Sequence, residues 1–340
     1  MLLRLARMHD LSGLMQFSAA IDSGMTSLPV DAKAWERKLA INEASAQANE
    51  PQPDGDIFLF LLEQDNQIVG TTAIYTGVGM SRPFYSYKLS THVSRSDALD
   101  KVVKTQVLHL VNDFTGATEL ASLYLLPKYR DRYAGRFLSK SRFLLLHQFP
   151  KRFHQLIFAE LRGWVDQSGR SPFWEALGEK FFKMPFSRAD FVSSVNGTQF
   201  ISDLMPKYPV YLDLLPLEAQ RVLGQCNDAT RPAKRLLEQE GFQWKGYVDV
   251  FDAGPTMQCD RQYIKIMQKI ASGELAGEAN AGELEPDFYM VSNGQLADYR
   301  IALTKLCRKD DRLYLPKSTL AQLKLEHGQQ LEYLPLSLTS

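Results

Sequence analysis

Residues 121–142 read ASLYLLPKYRDRYAGRFLSKSR and contain an apolar run, a proline, a basic turn and a long amphipathic stretch. The apolar run predicts a buried strand that Pro127 closes, because proline removes a donor from the ladder of hydrogen bonds. The stretch from about 135 to 149 predicts an apolar helix, and the small residues Ala134-Gly135 lie at its start. This order of strand, tight turn and helix decides the fold, since it places a helix N-terminus directly after a buried strand.

The turn has the composition of an anion-binding site. The first turn of a helix carries unpaired backbone N–H groups and the positive end of the helix dipole, which suit a phosphate group. Only one acid, Asp131, lies among the basic residues of this stretch, which are Lys128, Arg130, Arg132, Arg136, Lys140 and Arg142. The alternative is a solvated basic helix face. Neither the Walker motif GxxxxGK[ST] nor the dinucleotide motif GxGxxG is present.

The composition is that of an ordinary globular protein. The 340 residues include 39 Lys+Arg and 39 Asp+Glu, so the formal net charge is zero, and binding of nucleic acid or an anionic membrane is not expected. No apolar run approaches the roughly 20 residues that span a bilayer, and the start of the chain has no signal-peptide pattern. Cys226, Cys259 and Cys307 form no CxxC pair, so we expect neither a disulfide framework nor a metal site. These features predict a soluble protein of the cytoplasm.

The first half of the chain predicts a mixture of helices and strands. Residues 32–50 predict a helix, and the apolar runs within 57–75 predict a β-hairpin whose turn contains Asp65-Asn66. A strand around 84–90 and a helix around 97–111 are expected next. All of these elements precede the strand-turn-helix unit in the chain.

The second half is more varied in composition. Residues 150–225 are rich in aromatic residues and predict a long insertion of short segments, which a helix at 231–240 and a strand at 247–251 follow. Residues 273–286 (SGELAGEANAGELE) predict an exposed loop or linker. Residues 313–334 predict a strand, a short helix, a glycine turn and a strand. This last pattern is common in small β-barrels, and we expect it to serve as a cap or an oligomer contact.

The order of these elements resembles GNAT-type acyltransferases. In that superfamily the turn typically reads [QR]xxGx[GA] and cradles the pyrophosphate of coenzyme A. Arg130 and Gly135 match this pattern, whereas Tyr133 stands where the first glycine is expected. The resemblance implies that coenzyme A binds at the turn, through Arg130, Arg132, Ala134, Gly135 and Arg136.

Motifs spread over residues 1–260 are similar to those of the arginine N-succinyltransferase family. They are TSLP (26–29), FYSY (84–87), NDFTG (112–116), ELASLYLLPKYR (119–130), LSKSRFLL (138–145), SPFWEALGEKFF (171–182), SRADF (187–191), LMPKYPVY (204–211) and DVFDAGPT (249–256). The resemblance implies transfer of a succinyl group from succinyl-CoA to the α-amino group of L-arginine in arginine catabolism. It also implies that succinyl-CoA is a co-substrate, that no cofactor is bound permanently, and that Leu123, on the strand before the turn, contacts succinyl-CoA.

The same resemblance leaves the proton donor open. The family's donor is a histidine in a GQVHP-like segment, whereas residues 224–228 of this chain read GQCND, so Asn227 stands at that position. Asparagine donates and accepts hydrogen bonds but cannot exchange a proton near neutral pH. Asp228 and His92 remain as catalytic candidates, with Cys226 and a water relay as further alternatives. The competing interpretations are a turn residue for Asp228, an inert small side chain for Cys226 and an ordinary strand-end histidine for His92.

The charges of arginine and succinate require oppositely charged groups in the protein, since a guanidinium binds carboxylates and a carboxylate binds arginine or lysine. The sequence alone does not separate pocket residues from structural ion pairs among the charged residues of the family-like segments. These are Glu160, Arg162, Asp166, Arg170, Glu175, Arg188 and Asp190. Helical spacing predicts core positions, rather than a substrate-stacking site, for Phe173, Trp174, Phe181 and Phe182.

We therefore expect an α+β fold, with a GNAT-like acyl-CoA N-acyltransferase domain at 1–255 that includes the insertion and a small β-barrel domain at 256–340. The expected function is that of an arginine N-succinyltransferase with small-molecule substrates and no nucleic-acid or membrane partner. Two alternatives stay open. One is an acyltransferase for another amino acid such as ornithine, and the other is a non-catalytic or regulatory subunit that binds CoA or arginine, which Asn227 and Tyr133 favour. A homo-oligomer or a pairing with a related subunit is also expected.

Overall fold

The strand-turn-helix unit is present in the computed structural model, which describes residues 1–21, 25, 27–52, 54–64, 67–131, 133–196 and 204–336. In chain order, the strands are β1 (Leu2–Leu5), β2 (Ile57–Gln64), β3 (Gln67–Tyr75), β4 (Ser86–Ser96), β5 (Lys101–Val111), β6 (Thr118–Leu125), β7 (Leu156–Glu160), β8 (Val210–Tyr211), β9 (Gln243–Asp249), β10 (Pro255–Asp260), β11 (Ala271–Glu278), β12 (Tyr289–Ser292), β13 (Arg300–Thr304), β14 (Cys307–Lys309), β15 (Arg312–Leu315) and β16 (Gln330–Pro335). The helices are α1 (Leu11–Ala19), α2 (Ala32–Gln47), α3 (Ala134–Gln148), α4 (Glu179–Phe182), α5 (Phe186–Asn196), α6 (Leu217–Val222), α7 (Arg231–Gln239) and α8 (Lys317–Leu323). The predicted strand and helix of the decisive stretch are thus β6 and α3.

The packing of the chain defines two units. The first unit comprises Met1–Thr76, Leu120–His154 and Gln262–Ser340, and the second comprises Gly77–Glu119 and Gln155–Arg261. The chain passes from one unit to the other within β6, whose first two residues belong to the second unit. Each unit is therefore assembled from segments that lie far apart in the sequence.

The sheet of the first unit runs in the order β14-β15-β11-β16-β12-β13-β1-β2-β3-β6. β1 pairs antiparallel on both sides, with Leu3 opposite Leu62 of β2 and opposite Ile301 of β13. The C-terminal strands therefore extend the sheet that the N-terminal strands begin. The separate β-barrel expected at 256–340 is not confirmed, because these strands belong to an open sheet. The boundary after residue 255 stays a prediction.

Two stretches form strands where the sequence predicted another structure. The helix predicted around 97–111 is wrong, because β5 pairs with β4 along its whole length. Its valines and threonine are β-branched, and such residues lose side-chain freedom in a helix but pack well on a pleated surface. The linker predicted at 273–286 is wrong in its first part, which is β11. A Cβ at Gly273 would approach the Leu313 side chain to 2.9 Å, so this glycine permits close packing rather than flexibility.

Other predicted elements are confirmed with shifted ends. α2, α3 and α7 match predicted helices, and β2 and β3 form the predicted hairpin, whose Asp65-Asn66 turn lies outside the described residues. The strand predicted at 247–251 begins earlier, as β9, and the strand predicted at 84–90 continues further, as β4. The strand, helix and strand predicted within 313–334 are β15, α8 and β16.

The sheet of the second unit runs in the order β6-β7-β10-β9-β4-β5-β8. One of its faces packs on a core in which Tyr87 and Val248 contact the aromatic residues of the insertion. The predicted core position is wrong for Phe181, which is 43% exposed, and it is confirmed for the buried residues Phe173, Trp174 and Phe182. In the described part of the chain, no helix combines the length and the apolar character that crossing a membrane requires.

Candidate functional site

The turn before α3, in the first unit, is organised by Asp131. Its Oδ1 accepts hydrogen bonds from the backbone N–H groups of Tyr133 (2.8 Å) and Ala134 (2.6 Å), so a carboxylate caps the N-terminus of the helix. An anion at this position is stabilised by the helix dipole. The turn therefore already holds one negatively charged group at the place where the sequence predicts a phosphate.

Gly135 follows in the first turn of α3 and is partly exposed. A Cβ built on Gly135 would have no heavy atom within 4 Å among the described residues. The packing of the chain itself therefore does not require glycine here, whereas a phosphate lying on the backbone would. This open space fits the pyrophosphate that the sequence predicts.

Arg130 and Arg136, two further residues predicted to bind coenzyme A, lie beside this turn. Arg130 donates from Nε to the carbonyl of Leu125 (3.0 Å), and its guanidinium lies over the Tyr124 ring at 5.6 Å. These contacts fix the side chain against the end of β6. Arg136 is partly buried on the first turn of α3, and Arg132 lies outside the described residues.

β6 contains an irregular residue immediately before Leu123. Ser122 has a positive φ of 52°, which is rare for a residue other than glycine. The Thr71 hydroxyl donates to the Ser122 carbonyl (2.8 Å) and holds this irregularity in place. Leu123 is partly buried. Irregular strand residues of this kind often occur beside functional sites, because they redirect the backbone.

The basic residues of α3 divide into two groups. Lys140 is 8% exposed and Arg142 is 2% exposed, so the alternative of a solvated basic face is wrong for both. The Arg142 guanidinium donates to the Ser139 carbonyl (3.0 Å) and hydroxyl (3.3 Å) and makes no ion pair with a carboxylate of the described residues. Burial lowers the pKa of Arg142 to about 9. A second buried arginine, Arg152, differs because it pairs with Asp56 at 2.9 Å.

The second unit carries a group of four side chains that we call the polar row: Ser86, Asp249, Thr256 and Glu160. They come from the neighbouring strands β4, β9, β10 and β7. Ser86 lies directly opposite Asp249, and Thr256 lies directly opposite Glu160. Residues directly opposite each other on neighbouring strands place their side chains on the same face of the sheet.

The electrostatics of the polar row are unusual. Burial raises the pKa of the Glu160 carboxyl well above its ordinary value, and the negative charges of Asp249, Glu119 and Asp252 add to this effect. Burial, followed by the charge of Asp252, also raises the pKa of Asp249. Such shifts arise where acids are crowded without enough cations, and they frequently mark functional sites.

Arg162 is the cation beside this row. Its guanidinium pairs with Asp190 at 2.7 Å and with Asp252 at 3.4 Å. Close backbone packing supports this arrangement, since a Cβ on Gly163 would lie 2.1 Å from the Asp252 carbonyl oxygen. Of the charged residues that the sequence could not sort, Glu160, Arg162 and Asp190 thus belong to one partly buried cluster.

Other charged residues of the family-like segments form surface ion pairs. Arg170 pairs with Glu175 at 2.5 Å and lies 3.8 Å from Asp166. The side chains of these three residues are between 32% and 57% exposed. Exposed pairs of this kind contribute little to stability and are typical of a solvated surface.

The three catalytic candidates do not share one set of contacts. The backbone N–H of Asn227 donates to the Arg162 carbonyl (2.8 Å), and Asn227 Oδ1 accepts from the Ala229 N–H (2.9 Å) as a helix cap. Asp228 pairs with Arg231 at 2.7 Å on the surface. His92 is exposed on β4, where its ring lies 5.7 Å from that of His109. Asn227 is therefore the candidate whose segment adjoins Arg162.

The described residues contain no group of three His, Cys, Asp or Glu side chains that could hold a metal ion. Cys226, Cys259 and Cys307 are buried. Sequence reasoning did not identify Ser86, Asp249, Asp252 and Thr256 as site residues. The DVFDAGPT segment contains three of them, and its two aspartates three residues apart, beside a strand, are the signal that could have identified them.

Comparisons with known proteins find similarity to succinyltransferases along almost the whole chain. A family model described as the arginine N-succinyltransferase beta subunit matches residues 1–266, and a model of its C-terminal domain matches residues 273–335. The arginine N-succinyltransferase of Enterobacter sp. (strain 638) is 38% identical over 339 residues, covering 99% of this chain and 98% of that protein. The protein of the same name from Escherichia coli O6:H1 is 36% identical over 338 residues, covering 99% and 98%. A solved structure, arginine/ornithine succinyltransferase subunit AI from Pseudomonas aeruginosa, is 29% identical with a TM-score of 0.88, covering 100% of this chain and 99% of that one.

Proposed function

This chain belongs to the arginine N-succinyltransferase family, and we propose that it transfers a succinyl group from succinyl-CoA to the α-amino group of L-arginine. The observation that carries the proposal is the similarity of the entire chain, at 38% identity over 339 residues, to a relative of that name. The chain is accordingly an acyltransferase whose co-substrate is linked to coenzyme A. Its place is in arginine breakdown, and we assign it to the cytoplasm.

We assign the pyrophosphate of coenzyme A to the first turn of α3. The open space at Gly135 supports this assignment. Arg130 and Arg136 supply positive charge beside the turn. The pantetheine arm then lies along the end of β6, where the irregular backbone at Ser122 precedes Leu123. A backbone contact at Leu123 fits this path, because an irregular strand leaves polar groups for a ligand to bind.

The reaction forms a bond between the arginine nitrogen and the succinyl carbonyl carbon, and it breaks the bond between that carbon and the CoA sulfur. The α-ammonium group loses a proton before it attacks, and the sulfur leaves as a thiolate that then takes a proton. The side chain of Asn227 cannot carry either proton, and its Oδ1 already caps the following turn. We therefore propose that Asn227 orders the segment beside Arg162, and that the protons move through water or through another acid. His92 and Asp228 stay predictions for that second role.

The test is release of CoA thiol by the purified protein. We expect turnover with succinyl-CoA and L-arginine, and much slower turnover when acetyl-CoA replaces succinyl-CoA. Turnover would also show that a histidine at position 227 is dispensable. Binding of succinyl-CoA without any turnover would instead favour the alternative of a non-catalytic subunit, and a partner chain should then copurify.

A second amino-acid substrate is favoured by one comparison. The solved structure from Pseudomonas aeruginosa is named an arginine/ornithine succinyltransferase subunit. We therefore propose ornithine as a second acceptor, to be compared with arginine by kcat/KM in the same assay. The word subunit in that name also supports our expectation of a homo-oligomer or a pairing with a related chain, which the mass of the purified protein in solution tests.

A further inference from the structure

The polar row lies on one face of the second unit's sheet. Tyr87 and Val248 are opposite each other and point into the core described above, so their chain neighbours Ser86 and Asp249 point to the other face. On that other face, the Phe114 ring lies 4.4 Å from the Phe158 ring and 4.9 Å from the Tyr247 ring. Phe158 and Tyr247 precede Glu160 and Asp249 by two residues each. All four members of the polar row therefore share the face that carries this aromatic cluster.

The polar row contains buried polar atoms without a hydrogen bond. Ser86 is 1% exposed and Thr256 is fully buried, and neither hydroxyl oxygen has a hydrogen-bond partner among the described residues. The same holds for Oε1 of Glu160, although the nearby Thr256 hydroxyl moderates its pKa. Nearly all buried polar groups in proteins are paired, since an unpaired one destabilises the folded state. A ligand with several N–H donors would satisfy these atoms.

The carboxylates of the row also lack an ion-pair partner among the described residues. Asp249 Oδ1 accepts the backbone N–H groups of Phe251 (2.7 Å) and Asp252 (2.9 Å), and no ion pair within the described residues includes Asp249 or Glu160. Arg162 is already held by Asp190 and Asp252. Glu160 and Asp249 are only partly buried as residues. Crowded carboxylates without a counter-charge bind cations.

We propose that the polar row of Glu160, Asp249, Ser86 and Thr256 binds the guanidinium group of the amino-acid substrate. This inference rests on the proposed function and assigns residues to one part of its substrate. A guanidinium presents five N–H donors in one plane, and carboxylates bind it in pairs of hydrogen bonds. An ammonium group is compact and reaches fewer of the acceptors that four strands supply.

Substitutions of the two carboxylates test the proposal. Glu160→Gln and Asp249→Asn keep the shape of each side chain and remove its charge, and Asn at 249 keeps an oxygen for the two backbone donors. We expect the KM for arginine to rise roughly 10- to 100-fold, because a charge-assisted hydrogen bond contributes about that factor, while kcat changes much less. Preference for arginine over citrulline, its uncharged counterpart, should collapse. Asp166→Asn, on the exposed pair with Arg170, is the control and should change neither value.

Calorimetry provides a readout that does not depend on turnover. Arginine and agmatine, which has the guanidinium but no α-carboxylate, should both bind to the wild-type protein and bind far more weakly to Glu160→Gln. Since burial and the charges of Asp249, Glu119 and Asp252 raise the Glu160 pKa, with Arg162 as the neighbouring cation, ligand binding should release protons. Comparing buffers of different ionisation enthalpy measures that release, which should be smaller in Glu160→Gln.

The outcomes separate the two proposals. If the wild type succinylates arginine but both variants retain the KM and the preference over citrulline, the assignment of the polar row is overturned. A loss of kcat at unchanged KM also overturns it, since the row would then handle the proton. If the wild type does not succinylate arginine, the proposed function fails. The binding of agmatine to the wild type and to Glu160→Gln then tests separately whether the polar row binds a guanidinium group. Circular dichroism of each variant shows whether it is folded, and Ser86→Ala, which removes one acceptor, should weaken agmatine binding to a smaller extent.

Discussion

The carboxylate of Asp131 lies 2.6 Å from the backbone nitrogen of Ala134 and occupies the first turn of α3. The proposed pyrophosphate binds to N–H groups of the same turn, so this side chain and the co-substrate compete for one positively polarised helix end. Asp131 stabilises the turn by capping it, and a pyrophosphate bound to the same N–H groups would have to displace part of this carboxylate.

Replacing Asp131 by Asn should therefore strengthen the binding of CoA. Asn keeps an oxygen that accepts from the Tyr133 and Ala134 N–H groups but removes the negative charge. We expect the Kd for CoA to fall several-fold at low salt, with a smaller gain at high salt, because salt screens exposed charges. Titration calorimetry at two salt concentrations measures this. A Kd that rises in Asp131→Asn would show that the carboxylate helps CoA binding instead.

A substitution at Gly135 should stabilise the fold but weaken the binding of succinyl-CoA. Gly135→Ala should stabilise the folded protein by about 0.5–1 kcal/mol, because alanine favours a helix and its Cβ meets no atom of the described chain. The same Cβ would stand where the phosphate approaches, so the KM for succinyl-CoA should rise while the KM for arginine stays constant. Thermal unfolding and steady-state kinetics measure the two effects. An unchanged KM for succinyl-CoA would show that the phosphate does not bind at this turn.

The sequence predicts this turn well because all of its parts are local. A strand, a proline, small residues and a helix follow one another within 121–142. The periodicity of apolar residues predicts such elements because it depends only on residues close in the sequence. The helix predicted at 97–111 fails because a short apolar run with charges fits both periods, and pairing with β4 decides between them. The polar row escapes prediction because Ser86 and Thr256 come to the same face of one sheet only through the pairing of strands that are distant in the sequence.

Asn227 should matter for structure rather than for proton transfer. Asn227→Ser keeps a capping oxygen for the Ala229 N–H, so we expect kcat within about two-fold of the wild type and a similar melting temperature. Asn227→Ala removes the cap and should cost about 1 kcal/mol of stability. Kinetics and thermal unfolding of both variants measure this. A large loss of kcat in Asn227→Ser at unchanged stability would mean that this side chain takes part in the chemistry.

Replacing either of the two buried arginines of the first unit by methionine should have different effects on the free energy of unfolding. Arg152→Met leaves Asp56 buried without its partner, and such losses cost about 3–5 kcal/mol. Arg142→Met removes a buried charge that has no carboxylate beside it, so the free energy of unfolding should stay the same or increase. Denaturant unfolding compares the variants. Strong destabilisation by Arg142→Met would reveal a stabilising partner for this guanidinium.

The raised pKa of Asp249 predicts a pH dependence of stability. In the folded protein, burial and the charge of Asp252 keep Asp249 protonated at pH values where the unfolded chain, with a pKa of about 4, has lost the proton. The folded state then binds more protons, so the free energy of unfolding should decrease as pH rises from about 4 into the neutral range. Asp249→Asn should flatten this part of the profile. Equal slopes for both proteins would contradict the raised pKa.

Identification of the product tests the central claim most directly. The purified protein is incubated with succinyl-CoA and L-arginine, and the product is analysed by mass spectrometry, with Nα-acetylarginine as a substrate whose α-amino group is blocked. Our account predicts arginine carrying one succinyl group on its α-nitrogen and no product from the blocked compound. A succinyl group on the guanidinium nitrogen, or no product while succinyl-CoA still binds, would contradict it.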